Sequence, residues 1–68
     1  MARAMFEYTK TVLKKVSFST ELFTHELQKA VTRLLPYEIK ELHLWLIHFI
    51  EKKPELTPCL FVIEYPNK

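Results

Sequence analysis

The chain has 68 residues, 49% of them hydrophobic and nine aromatic, with a formal net charge of +2. It contains no Gly and no Asp, so all eight acidic residues are Glu, and Cys59 is its single cysteine. Without Gly there is no phosphate-cradling loop or dinucleotide turn, without Asp no Ser-His-Asp set, and one cysteine excludes an internal disulfide.

A length of this order permits one small domain, residues 1–68, with an apolar C-terminal tail from about residue 54. Such a domain buries only about 60% of its unfolded surface and commonly needs a disulfide, a metal or a second subunit. Three scattered histidines make no structural metal site, which leaves association as the favoured supplement. Charge is uneven: residues 1–34 carry six basic and three acidic side chains, residues 35–68 four and five. That asymmetry permits an anionic partner without demanding one. The absence of an export signal and the unpaired cysteine make a cytoplasmic location the expectation.

Residues 2–16 are amphipathic. Ala2, Met5, Phe6, Thr9, Val12, Leu13 and Val16 share an arc of about 120°, with Arg3, Glu7, Lys10, Thr11, Lys14 and Lys15 on the remainder. Tyr8 falls on the polar side. Arg3, Lys10, Lys14 and Lys15 form the candidate anion-binding face, the basis for an alternative function as a small nucleic-acid-binding regulator. Such a row is more often a solvated face. Packing is also the simpler use of this helix than a membrane surface.

Ser19 is the expected N-cap of a second helix over 20–35, with Phe18 placed to staple onto Phe23. Phe23, Leu27, Ala30, Val31 and Leu34 are its expected core side. Glu21, His25, Lys29 and Arg33 step along the solvent side.

Leu35-Pro36 breaks the chain and starts a third helix over 36–53 almost without a loop. Ile39, Leu42, Leu46, Phe49 and Ile50 fall on one core-facing arc, Trp45 at its edge. Tyr37, Leu44 and Ile47 fall nearly opposite. A helix apolar on two faces needs two coverings. An α+β alternative pairs residues 42–50 with 59–65 in a β-hairpin, since both runs also alternate. The proline start and leucine content favour helix, and no residue suits the tight turn.

Residues 59–65, rich in β-branched and aromatic side chains between two prolines, read as extended or a short strand. Thr57-Pro58 offer a second option, as cap and first position of a short fourth helix. The sequence therefore predicts a mostly all-α protein: three helices with an extended C-terminal segment.

Candidate chemistry is thin. His43 and His48 lie on different faces of one helix, and no H-E-x-x-H spacing occurs. Glu41 and His48 share a face without a third ligand. Cys59 opens an apolar segment and is expected to be a buried thiol rather than a nucleophile. No enzyme, metal or cofactor is expected. The sequence points to an interaction module that binds its own copy or another protein through Tyr37, Leu44, Trp45, Ile47, Leu60, Phe61 and Ile63, with no membrane span.

Overall fold

A computed structural model describes residues 4–64. Four α-helices follow one another: α1, Ala4–Lys15; α2, Thr20–Arg33; α3, Pro36–Glu51; and α4, Leu60–Glu64. A 3-10 segment, Pro54–Cys59, leads directly into α4. No strand occurs among the described residues. The all-α expectation holds, and residues 42–50 are helical throughout, which removes the hairpin alternative.

Local chemistry sets the boundaries. Ser17 Oγ donates to the Lys14 carbonyl at 2.9 Å and closes α1. Ser19 has extended backbone, and its Oγ accepts from the Leu22 N–H at 3.2 Å, so it caps α2 as its residue type predicts. The α2–α3 link is Leu34 and Leu35, both extended, ahead of Pro36, whose missing N–H has no helical partner to lose. Leu35 has no side-chain acceptor to cap α3. The Glu38 carboxylate instead reaches back to the Leu35 N–H at 3.0 Å, and the Glu38 N–H bonds the Leu35 carbonyl at 2.9 Å. This explains why Glu38 is buried.

Packing places each helix between two others. Both α2 and α3 have α1 on one side and the C-terminal segment on the other. Phe6 and Leu13 from α1, Phe23, Leu27, Ala30 and Leu34 from and just after α2, and Leu42, Leu46 and Ile50 from α3 form the interior. Leu56, Cys59 and Ile63 complete it. Across the middle, Phe23 stacks on Phe49 at 6.0 Å between ring centroids, and Phe49 on Trp45 at 4.9 Å. The Cα radius of gyration, 10.9 Å, is that of a fully folded chain of this length, about 11 Å.

Two expectations need correction here. Residues 60–64 are helical, not extended. The turns of the 3-10 segment and α4 bring Leu56, Cys59 and Ile63 to one side, where they fill the space between α2 and α3. A lone strand would have left its backbone donors unpaired, whereas a helix satisfies them internally. Tyr65, also in the expected extended piece, lies outside the described residues. Nor does Phe18 staple onto Phe23. The turn after α1 leaves Phe18 78% exposed, and Phe23 takes Phe49 as its ring partner instead.

Candidate interaction surface

Helix α3 carries the surface of interest because its sequence is apolar on two sides and its neighbours cover only one. At 100° per residue, Ile47, Lys40, Glu51, Leu44 and Tyr37 span about 80° of the arc facing away from the core. Their exposure agrees: Tyr37 is 56% exposed, Leu44 62% and Ile47 40%. No other segment of the described chain covers them. Lys40 and Glu51 are exposed on the same arc, and neither forms an ion pair among the described residues.

The remaining partner-binding candidates are placed differently. Trp45 is half-buried, packed on the core and stacked on Phe49, so it belongs to the interior seam rather than to the outward arc. Leu60 is partly buried against the core. Phe61 is exposed on α4. Ile63 is 5% exposed and faces inward, which corrects its assignment to an interface: α4 turns it into this chain's own core.

The flank of α3 next to the outward arc is tied to α4. His43 Nε2 lies 3.2 Å from Glu64 Oε2, which sets α4 beside α3 near Ile47, one turn along from His43. His48 Nδ1 stands 3.1 Å from the Leu44 carbonyl, a local contact within α3.

The basic face of α1 is less available than its sequence suggests. Lys10 Nζ sits 3.5 Å from Glu7 Oε1 and 4.8 Å from the centroid of the Phe6 ring, so its charge is already engaged. Lys14 and Lys15 are exposed in the last turn, where they suit the negative end of the helix dipole. Arg3 lies outside the described residues.

Among the described residues, no group of three or more His, Cys, Asp or Glu side chains could hold a metal ion. Cys59 is buried, with Sγ 3.2 Å from Thr24 Oγ1 and 3.8 Å from the Thr20 carbonyl oxygen. It lies beneath a shallow, open depression between α2 and the C-terminal segment, rimmed by Thr20, Glu21, His25 and Pro58. Glu41 and His48 are both exposed on α3. No described helix is long and apolar enough to cross a membrane.

No protein-family model matches the chain, and no curated protein or solved structure matches it either.

Sequence reasoning singled out Tyr37, Leu44 and Ile47 because period 3.6 puts them opposite the core stripe, and the structure leaves all three exposed. Lys40 and Glu51, on the same arc, are not among the residues the sequence singles out. Their spacing relative to Leu44 and Ile47 was the available signal.

Proposed function

We propose that the protein is a non-enzymatic interaction module that binds its own copy or another protein through the outward face of α3. One observation carries this reading: Tyr37, Leu44 and Ile47 stand exposed together on a single helical arc. Isolated exposed apolar residues are ordinary, but aligned ones on so small a domain mark a contact surface. Burying such side chains supplies affinity, and the charged residues interleaved with them supply register. Phe61, exposed on α4, extends the apolar surface of the molecule beyond α3. Trp45 packs against the core and lies off this face.

The nucleic-acid alternative rests on Lys14 and Lys15 once Lys10 is taken by Glu7 and Phe6, since Arg3 lies outside the described residues. Two exposed charges at a helix end are a weak footprint.

A photo-crosslinking amino acid at position 44, compared with one at position 14, tests the proposal. Protein adducts formed from position 44 and abolished by Ile47→Glu, with none from position 14, are the expected result. Adducts to nucleic acid from position 14, with none to protein from position 44, would overturn it.

A further inference from the structure

We infer that the occupant of the α3 face is the α3 face of a second copy, packed antiparallel about a two-fold axis between Trp45 and Leu46. This builds on the interaction-module reading and names its partner. The argument is one of spacing and charge. From Lys40 to the end of α3, beyond Tyr37 in the first turn, the outward arc runs Lys40, Leu44, Ile47, Glu51, with separations of four, three and four residues. Read from either end, the spacing is the same, and the charges at the two ends are opposite. Two such helices laid antiparallel place Lys40 of each copy opposite Glu51 of the other, and Leu44 of each beside Ile47 of the other. A parallel pair about a two-fold would instead set Lys40 against Lys40 and Glu51 against Glu51.

Within one molecule these two charges cannot meet. Lys40 and Glu51 are about 16 Å apart along the helix axis, three turns, beyond the reach of both side chains. Each is exposed and without an ion pair among the described residues. Glu51 is also the last residue of α3, where the helix dipole disfavours a carboxylate. Local helix stability therefore gives no reason for an acid there, whereas a cation across a two-fold does. An isologous contact uses the same patch twice, and this patch is complementary to itself only in the antiparallel sense.

The contact is one helix wide, at the small end of specific interfaces, so the dissociation constant belongs in the micromolar range rather than the nanomolar. Charge-swap variants read the pairing directly. Lys40→Glu alone sets Glu against Glu51 at both ends of the pair, and Glu51→Lys alone sets Lys against Lys40 at both ends. Each variant by itself should associate roughly tenfold more weakly than the natural chain at low salt, because two attractive pairs become repulsive. An equimolar mixture of the two variants restores complementary charge at both ends and should recover heterodimer to within about threefold of the natural affinity.

Circular dichroism on each variant guards the interpretation, since both substitutions are at exposed positions and should leave helicity unchanged. Sedimentation equilibrium on the natural chain, the two variants and their mixture is the measurement. Weak single variants with a recovered mixture is the result expected. Self-association that Leu44→Glu with Ile47→Glu abolishes but the charge variants leave untouched would overturn the antiparallel pairing while the apolar face survived as an interaction surface. A natural chain that stays monomeric up to on the order of 1 mM would overturn the second copy as occupant. The crosslinking experiment at position 44 would then decide the broader proposal by itself.

Discussion

Leu42 and Leu44 stand two positions apart on α3 and meet opposite environments. Leu42 is fully enclosed by the core and Leu44 is among the exposed apolar residues. Truncating Leu42 to Ala removes buried methyl groups and leaves a cavity, which costs about 2–5 kcal/mol. Truncating Leu44 to Ala in the monomer removes atoms already in water and should change stability by no more than about 0.5 kcal/mol. Urea unfolding of the two variants at low protein concentration checks this, and a larger loss from Leu44→Ala than from Leu42→Ala would mean that α3 faces the other way. Periodicity alone separated these two leucines, because a 100° step distinguishes inside from outside wherever the helix is long enough to fix its phase. The same logic placed Trp45 only at an edge. Its stacking on Phe49 is an i,i+4 contact within α3, whereas the pairing of Phe49 with Phe23 depends on where α2 sits, which no local pattern encodes. Phe18 shows the limit from the other side, since a staple pattern was present and the turn geometry did not use it.

At the scale of elements, the helices declared by capping chemistry were the legible ones. Ser19 and Pro36 each act through local backbone satisfaction, so their residue types predict boundaries. The C-terminal segment was misread because β-branched and aromatic composition favours strand locally, while the available partner surface was a groove between helices. Tertiary context decided it: Leu56, Cys59 and Ile63 reach the core only if the chain coils. The segment is therefore part of the fold rather than a detachable tail. Ending the chain after Lys53 would remove all three of these buried side chains, each worth about 1.5–3 kcal/mol when enclosed, from a domain whose core supplies about 3–5 kcal/mol in total. The shortened chain should lose its cooperative thermal transition in circular dichroism. A sharp transition within a few degrees of the full chain's would contradict this account of the C-terminal segment.

For the whole molecule, the balance between interior and surface explains why binding is the favoured reading. With no disulfide and a short chain, the core uses nearly every well-placed apolar residue from four helices and the 3-10 segment. Among the large apolar residues left exposed, Tyr37, Leu44 and Ile47 share one arc of α3. The exposed apolar arc of α3 was legible in outline, since Tyr37, Leu44 and Ile47 follow from helical phase. Its charge symmetry became visible only once α3 was known to be one uninterrupted helix from Pro36 to Glu51, because spacing turns into geometry only on a defined backbone. Ile63 could not be excluded from the face by sequence, since its direction depends on α4.

The most direct test of the central claim is sedimentation equilibrium of the natural chain beside a variant carrying Leu44→Glu and Ile47→Glu, both confirmed as folded by their melting transitions. The account predicts reversible self-association of the natural chain at tens of micromolar, on the order expected for a one-helix interface, and a monomer for the variant at every concentration. Equal masses for the two proteins across that range, with no protein crosslinked from position 44, would contradict it.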